Sequence, residues 1–242
     1  MSPPQLPGSR PQAVALISGG KDSFLSLTHA IHNSYRIVAL CNLHPPLPNQ
    51  SITTTLDSYM YQTIGHSVLP LYSRALGLPV YRHPIVGKAV DVNLNYHPAS
   101  STTNTTTDET EDLYALLSAV KRDFPAIAAV TSGAILSSYQ RTRVESVCRR
   151  LGLISLAYLW QLPQPSILSA LSQLEWDARI VKVAALGMDE RWLWWNLADP
   201  AVQRRLNVLK MKWGINVAGE GGEFESLVVA TPGWRGRIVV ED

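Results

Sequence analysis

The sequence predicts an α/β protein built on a parallel sheet, followed by a second, smaller α/β unit. Three observations carry that expectation. Short uninterrupted apolar runs recur at strand length, the segments between them repeat apolar residues with helical spacing, and the alternation changes rhythm towards the C-terminus. A strand covered by helices on both faces shows no polar side, so it reads as a continuous apolar run.

The first such run is 13–17 (AVALI), followed by a glycine pair and a helical pattern from Asp22 with Phe24, Leu25, Leu27 and Ile31 apolar. A second strand fits 36–40 (RIVAL), a helix fits 58–76, and a third strand fits 79–85. Gly77 stands where a left-handed helix cap belongs. Residues 98–108, rich in Ser, Thr and Asn, read as a disordered surface insertion. Beyond it Leu113, Leu116, Leu117, Val120 and Phe124 share one helical face. The acidic stretch 108–112 lies at that helix's start, where negative charge suits the macrodipole. A fourth strand at 126–131 and a helix at 138–150, closed by Gly152, follow. Then come a strand at 155–159, a proline-bounded helix from Ser166, a strand at 180–185, a Trp-rich helical stretch and a helix ending at Trp213. The segment 217–229 reads as a glycine-and-glutamate turn between apolar flanks.

The 242 residues are 46% hydrophobic and 17% charged, which supports a substantial core and argues against general disorder. Lys plus Arg number 21 against 19 Asp plus Glu, a net charge of +2, so bulk charge gives no nucleic-acid signal. Cys41 and Cys148 are the only cysteines, which excludes a disulfide framework and any CxxC metal or persulfide pair. The N-terminal stretch is proline-rich without an apolar core, unlike a signal peptide. No apolar run approaches the ~20 residues needed to cross a bilayer. These features point to a cytoplasmic protein without membrane contact, and they leave the Asn49 and Asn104 glycosylation triplets without meaning.

The sharpest local feature is Ser18-Gly19-Gly20-Lys21-Asp22-Ser23, directly after a buried strand and before a helix. Glycines let the backbone approach an anion and turn its N–H groups inward. The helix start adds unsatisfied donors and positive dipole. Lys21 supplies a mobile charge and the two serines supply hydroxyls. The competing reading is a plain strand-to-helix turn in which Asp22 or Ser23 only caps the helix.

The spacing is neither that of a Walker loop nor GxGxxG. SGGKDS in this position resembles the pyrophosphate loop of the N-type ATP pyrophosphatases (the PP-loop superfamily). That resemblance implies a doubly wound, adenine nucleotide alpha hydrolase-like sheet with ATP across the C-terminal ends of the first and fourth strands. Cys41, Asn42 and Leu43, at the end of the second strand, would line the adenine pocket; Gly133, Ala134 and Ile135 would approach the nucleotide from the fourth. Taken alone, Cys41 reads as a small buried hydrophobe.

Four further stretches narrow the resemblance: Asp57-Ser58-Tyr59-Met60-Tyr61-Gln62-Thr63 with Gly65-His66, Ser132-Gly133-Ala134-Ile135-Leu136-Ser137-Ser138-Tyr139-Gln140-Arg141-Thr142-Arg143-Val144-Glu145, Leu156-Ala157-Tyr158-Leu159-Trp160, and Gly219-Glu220-Gly221-Gly222-Glu223-Phe224-Glu225-Ser226. Together they look like the diphthine–ammonia ligase family, from about residue 13 to about residue 233. Phe224 and Ser226 stand where that pattern has Tyr and Thr, and the Ser/Thr-rich insertion lies outside it. Some fungal members carry further C-terminal domains.

The resemblance implies an ATP-dependent amide ligase. It would convert the carboxylate of diphthine on translation elongation factor 2 into an amide with ammonium, releasing AMP and pyrophosphate. ATP and Mg²⁺ are the implied cofactors. Residues 1–12 are expected to be a flexible N-terminus, 13–143 the nucleotide-binding domain and 144–242 a smaller substrate-binding domain. Lys21 and Asp22 would act on the phosphates, and a carboxylate must take a proton from ammonium before it can attack. Glu220, Glu223 and Glu225 are the candidates, and the motif alone does not assign their roles. Tyr59, Gln62, Ser137, Tyr139, Gln140, Arg141, Arg143, Gly221, Gly222, Phe224 and Ser226 are the expected substrate-binding residues, with an aromatic face such as Phe224 or Tyr139 suited to trimethylammonium.

Plainer readings stand beside these. The Gly221-Gly222 turn fits an acidic hairpin, and 139–143 fits a solvated helical face. Arg141 and Arg143 lie two residues apart, so at most one could face a phosphate from a regular helix. His29 and His32 fit an exposed helix end better than a metal site, for which no third ligand is in register. Trp192, Trp194 and Trp195 fit packing better than partner docking. Other functions stay open on the same fold: another AMP-forming ligase or tRNA-modifying enzyme, or a nucleotide-binding adaptor without catalysis.

Overall fold

The computed structural model describes residues 10–45, 65–91, 93, 96 and 108–241, with the His66 side chain excepted. Five strands form one parallel sheet: β1 (Gln12–Leu16), β2 (Arg36–His44), β3 (Val80–Pro84), β4 (Ile127–Thr131) and β5 (Ile154–Leu156), in the order β3-β2-β1-β4-β5. This is the α/β arrangement expected from the apolar runs. The chain moves outward from β1 to β3, then crosses back to place β4 on the other side of β1. That reversal opens a crevice at the C-terminal ends of β1 and β4, where such sheets bind ligands.

Successive residues of β1 feed opposite cores, as the period of two requires. Ala13 and Ala15 pack with Phe24 and Leu25 of α1 (Lys21–His32). Val14 packs with Leu113 and Leu117 of α3 (Glu109–Asp123) and Val144 and Val147 of α4 (Ser138–Leu151). The Asp108 carboxylate caps α3 by accepting the Thr110 N–H, and Gly77 and Gly152 end α2 (Leu69–Leu76) and α4 in the left-handed conformation. The helix expected over 58–76 appears as α2 with a 3-10 turn at His66–Val68; its first seven residues, Tyr59 and Gln62 among them, lie outside the described residues. So do residues 1–9 and 98–107. Gln12 already pairs with Arg36 in the sheet.

The smaller unit holds α5 (Gln164–Gln173), α6 (Pro200–Trp213) and an antiparallel pair, β6 (Asp177–Val183) with β7 (Phe224–Ala230). Its apolar residues, among them Leu168, Trp176 and Val228, join the same core as Ala13 and Phe24. One local expectation is corrected. The Trp-rich stretch is not a helix beyond a 3-10 turn at Glu190–Trp192. Residues 194–197 instead run along β6, with Trp194 N–H donating to Ile180 O at 2.8 Å and Leu197 N–H to Ala178 O at 2.8 Å. The glycine-and-glutamate turn expected within 217–229 is present, and the plainer reading of it as a hairpin falls away: β7 takes β6 as its partner, and Gly219, Gly221 and Gly222 adopt positive φ in a compact loop before it. Pairing across forty or more intervening residues leaves no local pattern to read.

Candidate active site

The loop after β1 is shaped by its own serines and by β7. Gly19 has φ +93°, open to glycine at no steric cost. Its carbonyl accepts the Val228 N–H at 2.9 Å. Ser18 Oγ accepts the Gly20 N–H at 3.2 Å, and Ser23 Oγ accepts the Ser18 N–H at 3.3 Å while donating to Gly20 O at 2.8 Å. The N-cap of α1 is Gly20, without any side-chain cap. Asp22 and Ser23 are therefore not capping residues, and the start of α1 faces the crevice.

That crevice, about 190 Å³, is walled by Ser18, Asp22 and Ser23 on one side and by Cys41, Asn42 and Leu43 at the end of β2. Ser132, Gly133 and Ala134 close it from β4, and Gln140 and Val144 from α4. Most of the residues expected at the nucleotide thus meet in one cleft. Gly19, Gly20 and Lys21 form the loop itself rather than the wall, and Ile135 is wholly buried beneath it. The Asn42 amide donates to Ile17 O at 3.0 Å, tying the end of β2 to the loop. Burial drives the Cys41 thiol far above its usual range, so it lines the cleft as a small apolar group and not as a nucleophile.

Gly133 explains why the two strand ends approach so closely. A Cβ there would lie 2.7 Å from Ser23 N and 2.8 Å from Asp22 C, both backbone atoms. Gly133→Ala is therefore expected to lower stability by about 1–3 kcal/mol, an overpacking cost. It should also weaken nucleotide binding; thermal denaturation and ATP titration check both.

Charge gathers at the mouth from distant parts of the chain. Lys21 Nζ pairs with Asp22 Oδ2 at 2.8 Å, donates to Ala218 O, and lies 5.7 Å from the Phe224 ring centre. Asp22 Oδ1 is buried without a partner among the described residues. Glu220 reaches the cleft from the glycine loop, its Oε2 accepting the Leu136 N–H at 3.3 Å. Burial, and then the charge of Asp22, raise the Glu220 carboxyl above its ordinary range.

The other two glutamates point elsewhere. Glu223 Oε2 accepts the Asn216 N–H at 2.5 Å, bracing the loop, and Glu225 Oε1 pairs with Lys182 of β6 at 3.1 Å. Glu223→Gln keeps an acceptor for Asn216, so steady-state kinetics should find kcat nearly unchanged. Glu223→Ala is expected to cost about 1.5–3 kcal/mol, the range for hydrogen bonds to charged groups.

Residues 85–155 match the family model for the diphthamide synthase N-terminal domain, and 164–242 match that for its C-terminal domain. A curated relative from Bos taurus named diphthine–ammonia ligase is 44% identical, covering 95% of this chain and 83% of its own length. The chain belongs to the diphthamide synthase family. Relatives of the same name include one from Homo sapiens, 43% identical over 95% of this chain and 83% of its own, and one from Schizosaccharomyces pombe, 44% identical over 96% of this chain. The chain spans 36% of the length of that fungal relative.

In this member of the family, the motif on α4 divides by face. Gln140 and Val144 line the cleft, whereas Ser137 caps the helix by accepting the Gln140 N–H at 3.2 Å. Arg143 is completely buried, stacked 3.2 Å from the Tyr139 ring centre, and donates to the carbonyls of Asp91 and Asn93. Arg141 stacks on Trp160 at 4.6 Å and pairs with Glu145 at 2.6 Å. Neither arginine forms the cleft wall. Phe224 is buried beside Lys21, and Ser226 Oγ accepts the Lys21 N–H at 3.2 Å. Gly221 and Gly222 supply the positive φ that turns Glu220 inward.

Two contributors were not singled out by sequence reasoning. The Ser132 hydroxyl is buried in the cleft without a partner among the described residues. Its signal was there to read, as the residue that opens the Gly133 stretch directly after a strand. The Ala218 carbonyl that receives Lys21 has no side-chain signature at all.

A hard cation fits this donor set. Mg²⁺ typically takes one or two carboxylates and completes its octahedron with phosphates and water. Asp22 offers an unpartnered buried oxygen at the helix start, and no group of three or more ligating side chains exists among the described residues to form a protein-only cage. His29 and His32 belong to no such group; burial, with His32 second, lowers the His29 pKa.

Proposed function

We propose that this protein is an ATP-dependent amide ligase that converts diphthine on translation elongation factor 2 to diphthamide with ammonium. The observation that carries this reading is the meeting, in one cleft, of the Ser18–Ser23 loop with Glu220 from a loop some two hundred residues away. Family membership names the class of product; the cleft supplies the chemistry that product needs.

Free carboxylate is a poor acyl donor because oxide would have to leave. In the proposed course a diphthine carboxylate oxygen attacks the α-phosphorus of ATP, the bond to the β-phosphate breaks, and pyrophosphate departs. The loop N–H groups, the α1 dipole and Lys21 stabilise that departing charge. Mg²⁺ held by Asp22 would neutralise part of it. Ammonia then attacks the acyl carbon, the bond to AMP breaks, and the second proton of the nitrogen leaves to the departing AMP phosphate or to water. Glu220 takes the proton that ammonium must lose, a task that a raised carboxyl pKa suits. Ser132 and Gln140 line the path between the nucleotide and α4. Lys21 and Asp22, intact and paired beside Glu220, argue against an adaptor without catalysis. A cytoplasmic setting, where both ATP and the elongation factor reside, completes the proposal; no described helix is long and apolar enough to cross a membrane.

The test incubates the protein with ATP, Mg²⁺, ammonium and diphthine-bearing elongation factor 2. AMP should form in step with a one-charge change on the factor. Amide product without AMP would refute the adenylate course, and AMP release that depends on tRNA would move the protein to the rival enzyme class.

A further inference from the structure

We propose that Tyr72, on α2, is a positioning residue for the phosphate loop: its hydroxyl holds the Gly19–Gly20 peptide against β7 so that the Gly20 N–H faces the nucleotide. The inference rests on the ATP-using reading above.

Three elements distant in sequence meet at this one oxygen. Tyr72 Oη donates to Val228 O at 2.7 Å and lies 3.3 Å from Gly19 O, while Val228 N–H donates to Gly19 O at 2.9 Å. The phenol is completely buried, and burial raises its pKa, so it remains a donor at physiological pH. Its ring is fixed by Phe24 at 4.7 Å and Trp234 at 5.5 Å between centres.

The geometry of a trans peptide makes this contact consequential. Its C=O and N–H point in opposite directions within one plane. Holding Gly19 O on β7 therefore turns the Gly20 N–H to the other side, into the loop, where Ser18 Oγ now receives it at 3.2 Å. A glycine pair has little intrinsic preference between this peptide orientation and its flipped form. The loop's own side chains do not hold Gly19 O; α2 and β7 do. Lys21 N–H is held by Ser226 of the same strand at 3.2 Å, so β7 sets both ends of the Gly20 residue.

Tyr72→Phe keeps the ring and removes the hydroxyl. ATP affinity should fall about tenfold, the size of one hydrogen bond's contribution, with KM for ammonium and for the modified factor unchanged. A residue that only packed would lower Tm and leave the ATP dissociation constant alone. Titration calorimetry with a non-hydrolysable ATP analogue reads the affinity without relying on turnover. Tyr72 can thus be judged even where the ligase reaction itself fails to appear. Wild-type ATP-analogue affinity in folded Tyr72→Phe would overturn the inference. Should that variant not fold, the Gly20 amide resonance of the unaltered protein decides: a large shift on adding the analogue is expected, and none refutes the role.

Discussion

Lys21→Ala should reduce kcat/KM for amide formation by about 10²–10³, the loss that follows removal of one preorganised charge-stabilising donor, while the protein still folds. Lys21 is only 3% exposed, and its ammonium is held by two oxygens. It bridges Asp22, at the edge of the cleft, and Ala218, at the base of the glycine loop. A triphosphate entering beside Asp22 offers it a stronger partner than a carbonyl. The side chain ties the loop of the smaller unit to α1. The structural part of this contribution is the charged hydrogen bonding of the ammonium to Asp22 and Ala218, about 1.5–3 kcal/mol, and the stability loss should therefore shift Tm by about 3–12 °C in a chain of this size. Near-wild-type ATP turnover in Lys21→Ala, measured as AMP release, would remove the loop from the chemistry.

Much of this site was legible because its determinants are local. A strand buried on both faces, two glycines and a helix start are contiguous in 13–31, so apolar run, turn chemistry and dipole could be read together. Gly77 and Gly152 closed the helices they were expected to close, since a left-handed cap is set by the residue itself. What escaped were features fixed by partners far along the chain. The Trp-rich stretch carries helix-compatible residues, but its backbone is claimed by β6, and Trp194 is held at φ +66° beside it. The glycine-and-glutamate turn is local and readable, but the partner of its second flank is not: its apolar flanks fit a hairpin equally well, whereas one packs into the core and the other pairs with β6. The three glutamates could not be told apart by motif. Their neighbours separate them: Asn216 N–H takes Glu223, Lys182 takes Glu225, and only Glu220 is left at the cleft. Arg143 reads as a helix-surface cation, yet its burial against Tyr139 and two backbone carbonyls makes it a brace for Asp91 and Asn93.

Glu220→Gln gives the second large effect, and its sign follows from the environment of the carboxyl. Burial, and then Asp22, disfavour the ionised form and raise the pKa. As a base, Glu220 must be ionised, so wild-type amide formation should decline as pH falls through this raised value. The glutamine variant should lose that acid limb and slow amide formation by about 10²–10⁴, the usual contribution of general base catalysis. ATP binding should change little, because the carboxamide keeps its shape and can still accept the Leu136 N–H. Stability should move the other way. A folded-state carboxyl with a raised pKa binds its proton more tightly than the unfolded chain does, so ionising it costs stability as pH rises through that window. Glu220→Gln removes that cost: its Tm should equal or exceed that of the unaltered protein at neutral pH, with the difference vanishing once pH falls below the ordinary carboxylate range. A variant that is slower and also less stable at neutral pH would instead mark Glu220 as a brace for the loop. In that case the proton acceptor would have to be sought at Asp22, the other carboxylate on the cleft wall.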